Sequence, residues 1–246
     1  NRDVHFEIEM LNDISTIYSA IGDFNSALKY LNDTLEISNT TGVYYKADEI
    51  YRVTAIINFI KGDYENYKIN IEKAEQFAVF TDNKAIMKYI YSVKVIYENE
   101  VGNYNKALEC LEQMKKVNAP HHEYFYYREK AKALYYLGKY NEALENIKHV
   151  FYPGYVSHRF DYLLMWSAKV YEGLIYSKLG KLDKSIEPIL TAIEKMKKFG
   201  SSKLLAFALE SASDIYYQMG EYEKAYKYLK EANDMKNEII KNKIYF

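Results

Sequence analysis

Gly138-Lys139-Tyr140-Asn141-Glu142-Ala143-Leu144-Glu145-Asn146-Ile147 reads as a turn that opens a helix. The glycine can take the left-handed backbone that ends a preceding helix, and Ala143, Leu144 and Ile147 recur at helical spacing after it. The same pattern returns as Gly22-Asp23-Phe24-Asn25-Ser26-Ala27-Leu28, Gly62-Asp63-Tyr64-Glu65-Asn66-Tyr67 and Gly102-Asn103-Tyr104-Asn105-Lys106-Ala107-Leu108. Later copies are Gly180-Lys181-Leu182-Asp183-Lys184-Ser185-Ile186 and Gly220-Glu221-Tyr222-Glu223-Lys224-Ala225-Tyr226. The glycines at 22, 62, 102, 138, 180 and 220 are 40, 40, 36, 42 and 40 residues apart. A fixed period of this length with one turn glycine per unit predicts a solenoid.

Working outward, each unit reads as a helix before the glycine, A, and a helix after it, B. Residues 1–246 read as one array of six units, at about 4–40, 43–81, 83–118, 120–152, 157–199 and 202–246. In the first, Leu11, Ile14, Ile17, Tyr18 and Ile21 keep the three-to-four spacing of a buried stripe. Tyr67 stands where most copies have alanine, so the two helices of that unit are expected to pack less closely. Pro120 falls near a helix start, where its missing N–H costs nothing, whereas Pro188 falls early in a B helix and is expected to distort it. Ser157 is a candidate N-cap after the irregular stretch Phe151-Tyr152-Pro153-Gly154. The last helix overruns its unit. Tyr228, Ala232, Met235, Ile239, Asn242 and Phe246 form a heptad-like stripe that either covers the last unit or serves as a homodimer seam or coiled linker.

Composition narrows the function classes. A net charge of -1 gives no basic face for nucleic acid, and no apolar run approaches the roughly 18 residues of a membrane span. The single Cys110 excludes an internal disulfide framework, which points to a reducing, cytoplasmic setting. Twenty-eight tyrosines suit gap filling between helices with the hydroxyl kept near water. The chain starts without methionine inside a helical pattern, which reads as part of a longer protein.

The units resemble tetratricopeptide repeats. Ser15, Ala55, Ala131, Gly173 and Ser213 match the small residue midway through helix A, and Tyr18, Tyr176 and Tyr216 the aromatic four before the glycine. Phe24, Tyr64, Tyr104, Tyr140 and Tyr222 match the aromatic two after it. Ala27, Ala107, Ala143 and Ala225 match the first alanine of helix B, and Ala74, Ala192 and Ala232 the last. The period of about 40 and the missing closing proline are similar to long-helix variants in bacterial signalling proteins. The resemblance implies an all-α, right-handed α-solenoid that binds a protein or peptide segment on the concave face lined by its A helices.

Chemistry is sparse in comparison. There is no phosphate loop and no His-Glu-x-x-His zinc motif. His121 and His122 are adjacent at a helix start and diverge, His149 and His158 flank the Pro153-Gly154 loop, and Cys110 lacks an activating histidine. The expectation is therefore no catalysis, no metal and no cofactor. On the resemblance, the positions ten, six and three before each glycine face the groove. Among them Asn12, Ser92 and Asn99 offer polar contacts, Arg52, Arg128 and Lys132 could hold a carboxylate, Phe59, Tyr135 and Tyr217 offer apolar anchors, and Asp214 adds an acid. Three roles are open: the sensory or regulatory region of a larger signalling protein such as a diguanylate cyclase or histidine kinase, a receptor domain for a short peptide pheromone controlling a transcription factor, and a free-standing scaffold.

Overall fold

A computed structural model describes residues 3–117, 123–151, 159–200 and 202–241, the side chains of 159–161 excepted. The expectations placed on Pro120, His121, His122, Pro153, Gly154, Ser157, His158, Asn242 and Phe246 lie outside the described residues. The fold is all-α. Among the described residues twelve α-helices follow one another as A–B pairs: α1 (Val4–Ala20) with α2 (Phe24–Thr41), α3 (Ala47–Ile60) with α4 (Tyr64–Phe80), and α5 (Lys84–Glu100) with α6 (Tyr104–Lys116). The pairs continue with α7 (Glu123–Tyr136) and α8 (Tyr140–Lys148), α9 (Arg159–Lys178) and α10 (Ile186–Lys197), and α11 (Lys203–Gln218) and α12 (Tyr222–Lys241). No helix among the described residues is long and apolar enough to cross a membrane.

One turn chemistry closes every A helix. At Gly22, φ is +82°, the Asp23 amide donates to Tyr18 O at 2.9 Å and the Gly22 amide to Ser19 O at 3.1 Å. These bonds take up carbonyls that a helix end otherwise leaves unpaired. The same bond from the residue after the glycine recurs at Asp63, Asn103, Lys139, Lys181 and Glu221. Asp23 and Asp63 then cap the B helix, accepting from the Ser26 and Asn66 amides at 3.1 Å.

The small residues expected midway along helix A sit where the pairs close. Ser15, Ala55 and Ala131 are fully buried, and the Ser213 hydroxyl donates to Ala225 O of the partner helix at 2.8 Å. Gly173 is the tightest: a Cβ there would lie 2.3 Å from Ser185 O. Pro188 does its work as expected. Helix B of that unit begins as a 3-10 turn over Leu182–Lys184, and Pro188 is the third residue of α10, inside the first turn where no intrahelical amide bond is lost.

Two expectations are corrected. Tyr67 does not loosen its unit, for α3 and α4 pack as extensively as any other described pair. Its buried ring lies beside Tyr97, at a centroid distance of 4.3 Å, and Phe59, at 5.9 Å, so its bulk goes into an aromatic cluster. In α1, Ile17 and Ile21 are exposed, and Ile8, Asn12 and Ser15 are the buried residues.

The chain forms two compact units. Among the described residues, the first holds Tyr97 and everything before it together with α6 from Cys110, and the second holds the remainder. Two apolar clusters are formed by described residues of the second unit. One joins Ala131, Ala143, Ile147, Ala168, Tyr171 and Ile175, and the other joins Ile189, Met196, Leu205, Ala208, Ile215 and Ala232.

Candidate functional site

In the second compact unit, the predicted groove cations are buried and already paired. Arg128 and Glu129 are 4% and 1% exposed. Their side chains form an ion pair, although adjacent residues on a helix point in different directions. Neighbouring A helices complete the arrangement. From α5, Asn99 Nδ2 donates to Glu129 Oε2 at 2.7 Å. From α9, Ser167 Oγ accepts from Arg128 Nε at 3.0 Å, and the Arg128 guanidinium lies 5.5 Å from the Tyr171 ring centroid. Lys132 reaches Glu100 at 2.5 Å. Burial pushes the Glu129 carboxyl up, but Arg128, Lys132 and Asn99 together more than offset this and hold it below the usual carboxylate range. Burial works against the Arg128 charge too, and Glu129 outweighs it.

The accessible chemistry of this unit lies beside that network. Asp214 is exposed on α11, and Tyr217 follows one turn later with 66% of its surface open. Partial burial and the neighbouring Glu210 raise the Asp214 carboxyl above its ordinary value. Glu210 pairs with Lys236, whereas Asp214 has no ion-pair partner among the described residues. Tyr135 on α7 is half-buried, and burial together with Tyr136, Tyr140 and Asp214 pushes its hydroxyl up to about 12. Its ring meets Tyr171 of α9 at 5.9 Å, and Tyr171 meets Phe207 of α11 at 5.5 Å. Ser177 and Gln218 bridge α9 to α11 through a 2.8 Å hydrogen bond. The surface that results is aromatic and acidic.

In the first compact unit, Asn12 is buried with its Oδ1 lacking a hydrogen-bond partner. Arg52 is partly buried, with its guanidinium 5.5 Å from the Tyr89 ring and its Nε without a partner. Burial lowers its pKa. Phe59 belongs to the aromatic cluster around Tyr67 and Tyr97. The Ser92 hydroxyl donates to Lys88 O at 3.0 Å and lies 3.3 Å from Met114 Sδ.

Sequence spacing singled out Arg128 and Lys132 but missed Glu129, Glu100, Ser167 and Tyr171, which neutralise or shield them. The adjacent, oppositely charged Arg128-Glu129 pair was the available signal. His149 stacks on Tyr127 at 4.6 Å. The apolar stripe of α12 turns inward: Ala232 and Ile239 are buried and Tyr228 stacks on Tyr216 of α11. Those residues pack on their own unit.

Comparison with known proteins gives the same architecture. A family model described as 26S proteasome subunit RPN7 matches residues 2–128, and one described as tetratricopeptide repeat matches residues 208–239. A TPR repeat-containing protein of Methanocaldococcus jannaschii, MJ1428, is 32% identical over 142 residues, which is 57% of this chain and 22% of that protein. The chain therefore spans about a fifth of that curated relative. Among solved structures, PilW, described as a widely conserved type IV pilus biogenesis factor, aligns with a TM-score of 0.64 at 13% identity over 93% of this chain and 91% of that one. The STAND protein PH0952 of Pyrococcus horikoshii, with its tetratricopeptide repeat sensor, gives 0.62 at 20% identity over 96% and 36%. A Rap protein complexed with Competence and Sporulation Factor gives 0.61 at 14% identity over 98% and 78%. At these identities the structural likeness is one of fold, the tetratricopeptide-like α-solenoid. The first model covers just over half of the chain, so the chain belongs to the family described as RPN7, and it is a tetratricopeptide-repeat protein.

Proposed function

We propose that this chain is a non-catalytic module that binds a protein or peptide segment, and that it serves as the sensory or regulatory region of a larger signalling protein. The observation that carries the binding reading is exposed Asp214 and Tyr217 beside half-buried Tyr135, where an unpaired carboxylate stands next to aromatic rings. Such an arrangement suits a segment that presents a basic side chain next to an apolar one. The aromatic rings supply contact area and Asp214 fixes register. This reverses the sign expected from sequence, because Arg128 and Lys132 already hold carboxylates of their own.

The larger-protein reading is supported by the STAND relative, in which the repeat sensor is part of a longer chain, and by the short share of MJ1428 that the chain spans. An output domain of the diguanylate cyclase or histidine kinase kind would suit it. A second reading, a receptor for a short peptide pheromone, is favoured by the Rap complex, which aligns over 98% of the chain. The spacing of 36 to 42 residues between turn glycines supports a long-helix repeat variant, and the lone Cys110 supports a reducing, cytoplasmic setting.

Panning a random peptide library against the chain tests the surface. Enriched peptides are expected to pair Arg or Lys with an aromatic or aliphatic residue. Asp214→Lys and Tyr217→Ala are each expected to weaken their binding by about tenfold or more. Enriched peptides that are acidic, or that bind both variants as well as wild type, would show that these residues are not the site. Sequencing the gene on both sides separates the two roles, an output domain for the sensor and a DNA-binding domain for the receptor.

A further inference from the structure

An arginine ten residues before the turn glycine occurs twice, as Arg52 before Gly62 and as Arg128 before Gly138. The chain gives Arg128 partners of its own. Glu129 pairs with it, Ser167 of the next A helix accepts from it, and Glu100 of the preceding A helix holds the nearby Lys132. The corresponding positions around Arg52 carry none of these groups. Val53 stands where Glu129 does, nine before the glycine, and Ile56 where Lys132 does, six before it. Ala20 stands in place of Glu100, two before the preceding glycine, and Tyr89 in place of Ser167, thirteen before the following one. The two repeats share the arginine and differ in every group that answers it.

The surroundings of Arg52 leave its charge unmatched. Its guanidinium lies 5.5 Å from the ring centroid of Tyr89, a cation–π distance, and Tyr89 is 55% exposed. Its Nε is shielded from water and donates to nothing, and Arg52 has no ion-pair partner among the described residues. Burial lowers its pKa, and Glu49, Tyr89 and Asp48 oppose this without offsetting it. Asp48 is engaged elsewhere, accepting from Asn83 Nδ2 at 2.9 Å and from the Glu49 amide at 2.8 Å. This is not the effect of a chain end. α3 is internal to the array: its N-cap Lys46 pairs with Glu9 of α1 at 3.0 Å, and Arg52 itself reaches α5 through Tyr89.

We propose that Arg52 anchors a second binding site, in the first compact unit, which takes a carboxylate from another molecule in the role that Glu129 plays at Arg128. The edge of a guanidinium presents parallel N–H groups that match the two oxygens of a carboxylate, and the Tyr89 ring helps to hold its plane. A bound carboxylate gives Arg52 the acceptor that the chain itself withholds, and it neutralises a charge that partial burial makes costly. The carboxylate can come from an acidic side chain or from the C-terminus of a peptide. This site selects the charge opposite to the one that suits Asp214, and it does not rest on that reading.

Nuclear magnetic resonance of the arginine Nε–H groups in isotopically labelled protein tests this. The Arg52 signal is assigned by its loss in Arg52→Lys, or in Arg52→Gln should the first variant lose the wild-type melting curve. The probes are inorganic phosphate and three N-acetylated tripeptides. Ala-Glu-Ala amide offers a side-chain carboxylate, Ala-Ala-Ala with a free C-terminus offers a main-chain carboxylate, and Ala-Gln-Ala amide offers none. None carries a basic side chain, so the outcome is independent of the site at Asp214. One or both carboxylate peptides are expected to shift the Arg52 signal to saturation, and the one that does so names the source. The Arg128 signal, already bonded within the chain, is expected to stay in place. Val53→Glu restores an internal partner, so it is expected to shift the Arg52 signal without peptide and to abolish the response. No shift at Arg52, a shift that Ala-Gln-Ala amide matches, or one that phosphate alone produces overturns the proposal. A shift that Arg2 and Arg159 match overturns it in favour of general attraction between charges. A folded Val53→Glu protein that answers the peptides as wild type does overturns it too.

Discussion

Glu129 and Arg128 show how a charge can be hidden in a helix that was expected to display it. A buried ion pair gains little over apolar side chains of similar size, but losing one partner strands the other in a medium that penalises charge. Arg128→Met should therefore destabilise the chain by about 3–5 kcal/mol, and Arg128→Met with Glu129→Leu should recover most of that loss, as read from urea melts. Equal loss in the single and double variants would mean that the pair is not what holds this region. The pH dependence has a definite sign. The Glu129 carboxyl is held below its ordinary value of 4.5, so its contribution is present above that value and fades as pH falls through the folded-state value. Acidification should narrow the gap between wild type and the double variant. The placement of Arg128 and Lys132 on one helix, set by their distance to Gly138, was legible in the sequence. Their availability was not, because that depends on Glu100, Asn99 and Ser167, which come from other helices and lie 30 to 39 residues from the residues they pair with.

Single elements were the most legible level, for the reason that their signals are local. The turn glycines, the Asp23 and Asp63 caps and the 3-10 start before Pro188 all depend on residues within a few positions. Tyr67 was misread because its ring has room beside Tyr97, a residue of the next A helix. Gly173 separates two uses of glycine. At Gly180 φ is +72° and a Cβ would meet nothing within 4 Å, so Gly180→Ala costs about 1–2 kcal/mol through backbone strain alone. Gly173 is helical, where alanine is intrinsically better, but its Cβ would strike Ser185 O and Ile189. Gly173→Ala should therefore lower stability by about 1–3 kcal/mol, by forcing α10 away from α9. A Gly173→Ala protein as stable as wild type in the same melts would show that the two helices do not need this close approach.

For the molecule as a whole, the repeat pattern cannot tell an end unit from an internal one, which is why Ile17 and Ile21 read as buried. The consequence is unequal local stability. α1 has 17 residues and three buried side chains, and α12 has 20 and three. α3 has 14 residues and eight buried side chains, and α11 has 16 and nine. Helices with few buried contacts open locally at lower free energy than those roofed on both sides. Hydrogen exchange followed by mass spectrometry, on dilute protein, should find amides of α1 and α12 exchanging well before those of α3 and α11. The order cannot come from helix propensity or length, since α12 is the longer helix and the richer in lysine and glutamate, which favour helices. Uniform protection already present in dilute protein would mean that burial does not set the order of opening in this chain.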